Sequence, residues 1–162
     1  MVPIAFSKTT KAASVALYLL HSLIIFREMD STTLAREVFH QDHYATQLTG
    51  IVIDNVDDHE AICSLAIDAR HRNARGAVMG GVLFTLADFC AAVAANSDTL
   101  DELHWVSLDS SIHFLSPALG DNLVAHCVAL KTGRTTSLFQ TQIESPDSSK
   151  RIAIVETTMV RV

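Results

Sequence analysis

Basic residues and cysteines are scarce in this chain of 162 residues, and both shortages exclude classes of protein. Twelve Lys and Arg stand against 18 Asp and Glu, for a formal net charge of −6. Because phosphate binding needs clustered Lys and Arg, we expect no nucleic acid partner. Cys63, Cys90 and Cys127 show neither a zinc spacing nor a disulfide framework. We expect reduced thiols, packed as small hydrophobes, in a cytoplasmic protein.

Several motifs of catalytic or metal sites are also missing. No Gly-x-Ser-x-Gly elbow is present, which argues against a hydrolase with a Ser-His-Asp triad. Among the eight histidines only His40 and His43 stand three apart on a predicted helix, so we interpret the histidines as surface titrating groups. We therefore expect no metal and no cofactor. Without repeats, low-complexity tracts or linkers, the length suits one domain with a sizeable core.

An apolar run at residues 12–26 follows Lys8 and Lys11 and superficially resembles a signal peptide. It ends in Arg27-Glu28-Met29-Asp30 rather than in a small-x-small site. At about fifteen residues it is also shorter than the ~20 that a spanning helix requires. We interpret residues 1–28 as an apolar or amphipathic helical extension, expect no membrane partner, and place the domain at residues 29–162.

Hydrophobic periodicity predicts two helices and about six strands. The first helix runs from Ser31 to about Gln47 and closes near Gly50, and the second is a long apolar helix from about Gly81 to Asn96. The predicted strands are Gly50–Asn55, Ala61–Asp68, His104–Phe114, Asn122–Lys131, Thr135–Glu144 and Lys150–Arg161, with the acidic turn Val56–Glu60 joining the first two. Short turns after the long helix favour an α+β fold in which an antiparallel sheet of five to six strands curls around that helix.

A single carboxylate, Asp88, lies in the apolar stretch of the second helix, eight residues after Gly80. Consecutive glycines before such a stretch place the Gly80 backbone at a helix N-terminus, where unpaired N–H groups favour a developing negative charge. A carboxylate can take a proton from water or attack a carbonyl. Alternatively, the glycines only allow close packing and Asp88 bonds to a neighbouring backbone group.

With Asn73, Gly76, Gly80-Gly81 and Asp88 in this order, the segment resembles the hotdog-fold acyl-CoA thioesterases of the phenylacetate-pathway type. Their motif is Asn-x-x-Gly-x-x-His-Gly-Gly, with a carboxylate eight residues after the first glycine of the pair. The stretch from Trp105 to Ala118 resembles the family's strand ending in Ser-Pro-Ala, and Gly120-Asp121 and residues 130–135 resemble its next two turns. The resemblance runs from about Thr33 to the C-terminus. Met79 departs from it, because the family usually has histidine there.

The resemblance implies a hotdog protomer that pairs edge to edge into a homodimer, with two dimers often stacked into a tetramer. It also implies hydrolysis of an acyl-CoA or aryl-acyl-CoA thioester at sites shared by two protomers. One protomer supplies Asn73 and Gly80, and its partner supplies Asp88 and Ser107. A non-catalytic module that binds acyl-CoA is the alternative, which Met79 favours. A dehydratase would need a His and Asp pair that the segment lacks.

In the implied reaction the Gly80 N–H binds the thioester oxygen, and Asp88 acts either as general base or as nucleophile. Asn73 holds the attacking water or the carbonyl, although an Asn in such a loop is otherwise a turn former. Ser107 lies near the water, although a strand serine often simply faces solvent. The residues implied in substrate binding are Met79, Gly81, Gly133, Arg134 and Thr135. The last three form a turn that the resemblance places near the nucleotide end of CoA. Arg134 either pairs with a phosphate there or is simply an exposed arginine. Phe84, Phe89 and Met79 are candidates for lining the acyl pocket.

Overall fold

Two units divide the chain, Met1–Asp30 and Ser31–Val162, and a computed structural model describes residues 29–148 and 150–162. Every helix and strand described belongs to the second unit. The predicted extension at residues 1–28 lies outside the described residues. Among those that are described, no helix is both long and apolar enough to span a bilayer.

The first helix, α1, covers Ser31–Phe39 and buries Ala35 and Phe39. The prediction of one helix as far as Gln47 is wrong, because the chain turns after Phe39 and resumes as a π-helical segment, Tyr44–Thr49. Asp42 lies just before this second segment, and its side chain accepts the Ala45 N–H at 3.2 Å. Side-chain acceptors of this kind compete with helix continuation. Gly50 ends the segment in the left-handed region at φ +86°, where the sequence places the end.

Six antiparallel strands form one sheet in the order β1-β2-β4-β5-β6-β3. In the β1–β2 hairpin the pairs extend to Asp57 and Glu60, so the predicted turn shrinks to Asp58 and His59, the latter at φ +53°. The strands are β1 Ile51–Asp57, β2 Glu60–Ala66, β3 Trp105–Phe114, β4 Asn122–Lys131, β5 Thr136–Ser145 and β6 Lys150–Arg161.

The long apolar helix, α2, covers Gly80–Ala95 and contacts all six strands. It buries Leu86, Cys90 and Val93 completely against the sheet. Asn96 ends it and fixes the start of β3, because its side-chain oxygen accepts the N–H groups of His104 and Trp105, each at 2.9 Å. A sheet wrapped around one apolar helix confirms the predicted α+β class and the hotdog architecture.

The three cysteines lie in this core as free, fully buried thiols, as the sequence predicts. The Cys90 thiol donates to the Ala61 carbonyl at 3.4 Å and to the Ala125 carbonyl at 3.6 Å, so it joins α2 to β2 and β4. Burial raises the pKa of the Cys90 thiol well above its usual value. The hydrogen bond with Cys90, followed by burial, does the same to the pKa of Cys127.

The two outer edges of the sheet differ. Side chains of α1 cover the edge of β1: the Val56 N–H donates to Thr32 Oγ1 at 2.9 Å, and Arg36 Nε donates to the Ile53 carbonyl at 2.7 Å. At the other edge, the Asn96 side chain bonds to the N–H and the carbonyl of Trp105 at the start of β3. Beyond Trp105, no hydrogen bond from the described residues reaches the outer backbone of β3, and Leu108 and Phe114 of this strand are exposed. An uncovered edge is a template for another strand.

Candidate functional site

The start of α2 is held in place by the segments on either side of it. The Val78 N–H donates to the Ala118 carbonyl and the Met79 N–H to the His71 carbonyl, at 2.9 and 2.8 Å. Met79 is the N-cap, in an extended conformation at φ −66° and ψ 137°, so Gly80 is the first helical residue, one position before the predicted start. The N–H groups of Gly80 and Gly81 have no acceptor in the described part of the chain. They can therefore bind an anion or a polarised carbonyl at the positive end of the helix.

A cleft of about 670 Å³ opens at this helix start. Its apolar wall includes Val78, Leu83 and the Phe114 ring, which lies close over Gly80. A Cβ at position 80 would stand 3.0 Å from Phe114 Cζ, so a residue without a side chain allows the ring to approach. The full lining is Asn73, Arg75, Ala77, Val78, Gly80, Leu83 and residues 114–119.

Asn73 lies at the polar rim of this cleft and also shapes a turn. Its Oδ1 accepts the Arg75 N–H at 2.9 Å, and its carbonyl accepts the N–H of Gly76, a residue at φ +79°. The side-chain oxygen of Asn73 therefore acts as a turn former, which is the alternative role expected from the sequence. The two N–H donors of the side-chain amide have no acceptor among the described residues, and they remain available to a ligand.

Arg72 connects the two walls of the cleft, and sequence reasoning missed it. Its guanidinium donates to the carbonyls of Gly76, Leu119 and Gly120 at 3.1 to 3.3 Å, and to Asp121 Oδ1 at 2.8 Å. Five donors in a rigid fork make arginine suited to such a role. No sequence signal identifies it, because its acceptors lie up to 49 residues away.

His71 contradicts the interpretation of all histidines as surface groups, because only 3% of it is exposed. Its Nε2 bonds to the Thr49 carbonyl at 2.9 Å, and its Nδ1 accepts the Asp68 N–H at 3.0 Å. Since a carbonyl only accepts, we assign the proton to Nε2. The Arg70 side chain beside Asp68 lowers the pKa of that carboxyl to about 2, mainly by hydrogen bonding. These contacts fix the position of His71, whose carbonyl accepts the Met79 N–H at the start of α2.

Asp88 and Ser107 form a second polar pair. Asp88 lies half-buried in α2, and the Ser107 hydroxyl of β3 donates to its Oδ1 at 2.7 Å. The bond to a neighbouring backbone group, the alternative drawn from the sequence, is not what the structure shows. Because Ser107 occupies Oδ1, the other carboxylate oxygen is left for a water molecule or a substrate.

The four residues implied in catalysis are thus brought together as two pairs. Asn73 and Gly80 line the cleft, whereas Asp88 and Ser107 do not. Eight residues of helix separate Gly80 from Asp88, a rise of about 12 Å. A carbonyl bonded to the Gly80 N–H is therefore out of reach of Asp88 of the same chain.

The candidates for acyl-pocket lining are placed elsewhere. Phe89 is buried and packs edge-on against Phe39, with ring centroids 5.7 Å apart, so its predicted role as pocket lining is wrong. Phe84 and Met79 do not line the cleft either. Met79 is 54% exposed, and its methyl group lies beside Gly81, where a Cβ would stand 3.0 Å from it. Phe114 takes the aromatic position beside Gly80, a role that the strand pattern does not reveal.

The turn of Gly133, Arg134 and Thr135 lies at the other end of α2. A Cβ at Gly133 would stand 2.5 Å from the Thr136 carbonyl oxygen, so this turn requires glycine. Gly133 lines a separate polar cleft of about 420 Å³ together with His59, Trp105 and Arg161. Arg134 is exposed, without an ion pair among the described residues. Three or more metal-ligating side chains do not come together anywhere in those residues.

Comparisons with known proteins identify relatives of this chain. Residues 75–152 match the family model of the thioesterase superfamily. The acyl-coenzyme A thioesterase PaaI of Escherichia coli (strain K12) is 32% identical over 110 residues, 67% of this chain and 76% of that protein. Acyl-coenzyme A thioesterase 13 of Homo sapiens is 32% identical over 95 residues, 58% of this chain and 67% of that protein. The solved structure of the E. coli PaaI protein from the phenylacetic acid degradation operon has a TM-score of 0.70 at 25% identity, covering 82% of this chain and 96% of that one.

Proposed function

The chain belongs to the thioesterase superfamily, and on this premise we propose that it hydrolyses acyl-CoA thioesters to a free acid and CoA. One observation carries the proposal. An unpaired amide at the start of an apolar helix, Gly80 N–H, lies in a cleft, and a carboxylate held by a serine hydroxyl, Asp88, lies on the same helix. An oxyanion donor and a general base or nucleophile are the two groups that acyl transfer needs.

The reaction begins with the thioester carbonyl oxygen accepting the Gly80 N–H. As a nucleophile adds to the carbonyl carbon, negative charge develops on that oxygen, and the amide with the positive end of α2 stabilises it. The tetrahedral intermediate collapses, the carbon–sulfur bond breaks, and CoA leaves as a thiolate that takes a proton. The Asn73 amide, which has free donors, holds the attacking water or the carbonyl.

Asp88 supplies the nucleophile by one of two routes. As a general base it takes a proton from water on the oxygen that Ser107 leaves free, and the water adds to the carbonyl carbon. As a nucleophile it attacks directly, forms a mixed anhydride and releases the acid when water opens the anhydride. The hydrogen bond from Ser107 orients the carboxylate for either route.

A second copy of the chain completes the site in this proposal. Because Gly80 and Asp88 of one chain cannot reach the same carbonyl, each site combines Asn73 and Gly80 of one protomer with the partner's Asp88 and the partner's Ser107. The bare edge of β3 supports a homodimer formed there, since α1 already covers the β1 edge. The proposal also includes a tetramer, formed when two such dimers stack.

Substrate binding in the proposal uses the start of α2 and the turn at residues 133–135. Met79 and Gly81 flank the amide that binds the thioester, and the turn of Gly133, Arg134 and Thr135 receives the nucleotide end of CoA. Arg134 is exposed and unpaired in the described structure, so its guanidinium is available for a phosphate. Arg75 is a further cation, at the rim of the cleft. A cytoplasmic location is supported by the three reduced, buried thiols.

The competing function is a module that binds acyl-CoA without hydrolysing it, and the thioether of Met79 in place of histidine favours it, because sulfur cannot donate a hydrogen bond. The experiment is an assay of the purified full chain on a panel of acyl-CoA esters, with a thiol reagent to detect CoA. We expect turnover that Asp88→Asn abolishes and Ser107→Ala lowers. Asp101→Asn, an exposed carboxylate beyond α2, is the matched control and should match the unmodified chain. Saturable binding without turnover would contradict the enzyme and support the binding module.

A further inference from the structure

We propose that Met79 is a modification site: oxidation of its thioether to a sulfoxide places an oxygen beside the unpaired amides of Gly80 and Gly81 and blocks the candidate oxyanion site. The inference rests on the proposed function, because hydrolysis is the activity that the modification switches off. It adds what that function leaves open, which is a reversible way for an oxidant to control the site.

Met79 occupies the position from which a side-chain oxygen could cap α2. It is the N-cap residue, and its thioether makes no cap hydrogen bond. Its carbonyl accepts the N–H groups of Val82 and Leu83, at 3.0 and 3.4 Å. Those of Gly80 and Gly81 have no acceptor among the described residues. A side-chain oxygen at an N-cap accepts the N–H of the second or third helical residue. The second is Gly81, so the unpaired donor is one that such an oxygen would take.

The Met79 side chain already lies over this first turn of the helix. Its methyl carbon stands 3.0 Å from the point that a Cβ of Gly81 would occupy, so a residue without a side chain lets the thioether fold back onto α2. The sulfur is bonded to that methyl carbon, and an oxygen added to the sulfur therefore lies beside the Gly81 backbone. On the other side of the amides the Phe114 ring covers Gly80, which leaves little room for a sulfoxide oxygen and a thioester oxygen together.

Oxidation changes what this side chain can bind. A thioether sulfur is a weak hydrogen-bond acceptor, whereas the sulfoxide is polar. Its oxygen competes with the thioester carbonyl for the same N–H groups, at the positive end of α2. Because the oxygen is attached to the N-cap residue itself, it competes as an intramolecular ligand at a high effective concentration.

Exposure directs an oxidant to Met79 rather than to the other sulfur atoms. Met79 is 54% exposed, whereas Met159 is fully buried and Met29 is half-buried. The three thiols are buried in the core. Burial also raises the pKa of the Cys90 thiol, which lowers the fraction of thiolate that a peroxide attacks. Met79 is thus the most accessible sulfur in the described part of the chain.

The modification balances with hydrogen peroxide as the oxidant. The Met79 sulfur attacks one peroxide oxygen, the O–O bond breaks, a sulfur–oxygen bond forms and water leaves. The sulfur loses two electrons and the peroxide gains them. A methionine sulfoxide reductase reverses the step with a dithiol, which becomes a disulfide while the oxygen leaves as water. The modification can therefore be both applied and removed.

Peroxide treatment of the purified full chain tests the inference. After the peroxide is removed, mass spectrometry of peptides measures the sulfoxide at each methionine, and acyl-CoA hydrolysis and the melting temperature are measured on the same sample. We expect activity to fall in proportion to the sulfoxide at Met79, with a kcat about a hundredfold lower in the fully modified chain, as for the loss of one oxyanion donor. The melting temperature should not fall, because the new oxygen caps α2. Methionine sulfoxide reductases with dithiothreitol should restore the activity.

Met79→Leu is the matched control, because leucine has a similar volume and no sulfur to oxidise. The rate of this variant before treatment serves as its own reference, and peroxide should not lower that rate. The variant keeps every other sulfur of the chain, so it reports inactivation through any of them. Met159, fully buried, should carry no sulfoxide in either protein under the conditions that modify Met79.

Three results would overturn the inference. One is full activity in a chain whose Met79 is oxidised, and another is inactivation of Met79→Leu to the same extent as the unmodified chain. The third is a melting temperature that falls with the sulfoxide at Met79, because the oxygen would then disrupt the start of α2 instead of capping it. If the untreated chain hydrolyses no acyl-CoA, only the proposed function is refuted, and the melting temperature still decides whether the oxygen caps α2.

Discussion

Replacing Gly80 with proline removes one hydrogen-bond donor from the candidate site and leaves α2 able to begin. Gly80 is the first residue of the helix, and proline is well tolerated there because its missing N–H has no intrahelical partner. A residue before proline is restricted to extended conformations, and Met79 already has φ −66° and ψ 137°. The variant therefore tests the backbone amide itself, which ordinary side-chain substitutions leave in place.

The loss of kcat caused by removing the N–H is measured by comparing Gly80→Pro with Gly80→Ala. A Cβ at position 80 would stand 3.0 Å from Phe114 Cζ and 3.3 Å from Cε1, so the ring must move slightly in both variants. Phe114 is 57% exposed and has room to do so. Alanine keeps the N–H and proline does not, so their ratio isolates the donor. Loss of one preorganised oxyanion donor lowers kcat about 10²- to 10³-fold, or about 2.7 to 4 kcal/mol.

The assay is the steady-state hydrolysis of an acyl-CoA with a thiol reagent, on both variants, with melting temperatures measured in parallel. We expect the proline variant to have a kcat at least about a hundredfold below that of the alanine variant, at a similar melting temperature. A proline variant that folds normally and keeps a kcat within about threefold of alanine refutes the oxyanion role of this amide. A proline variant that melts far below alanine refutes the tolerance of α2 for proline.

Mixing Gly80→Pro with Asp88→Asn chains should return about a quarter of the unmodified activity, since random pairing makes half of the dimers mixed and each holds one intact site. No recovery after exchange of subunits would show that the site is not shared. The Asp68 pKa is lowered from 3.8 to about 2, so its stabilising effect is complete above pH 3.8 and is lost as the pH falls through about 2. Asp68→Asn should remove this part of the acid-unfolding curve, and an unchanged curve would contradict it. Met79→His should leave or raise thioester hydrolysis, and a large loss would show a site built differently. A chain beginning at Met29 should stay soluble and active, which insoluble or unfolded protein would contradict.

Much of the fold follows from local patterns in the chain. The apolar stretch after Gly80 identifies α2 to within one residue at each end, and the turn residues identify the ends of the strands to within two. The first helix is the exception, because the chain turns after Phe39, close to Asp42, whose side chain accepts the Ala45 N–H of the following segment. A surface helix and a helix followed by a capped turn have similar apolar spacing, so periodicity does not separate them.

The site is less accessible to sequence reasoning than the fold. Asn73, Gly80 and Asp88 are recognisable by their order, but the aromatic group beside the amide is Phe114, on a strand that follows the helix. Phe89 shows the reason. All faces of α2 are similarly apolar, so the sequence does not tell which side chains of the helix point into the core. Only the packing shows that the Phe89 ring lies in the core against Phe39. Arg72 has no signal at all, since its acceptors belong to distant turns.

The sequence by itself determined the elements and the chemistry that they carry: glycines at a helix start, one carboxylate in an apolar helix, and strands with short turns. These are local properties, set by backbone freedom, periodicity and the exclusion of unpaired charge from apolar surroundings. Only the tertiary structure decided which groups meet. It joined Ser107 to Asp88, placed Phe114 over Gly80, and covered one sheet edge while leaving the other bare, because these contacts depend on how distant segments pack rather than on their own composition.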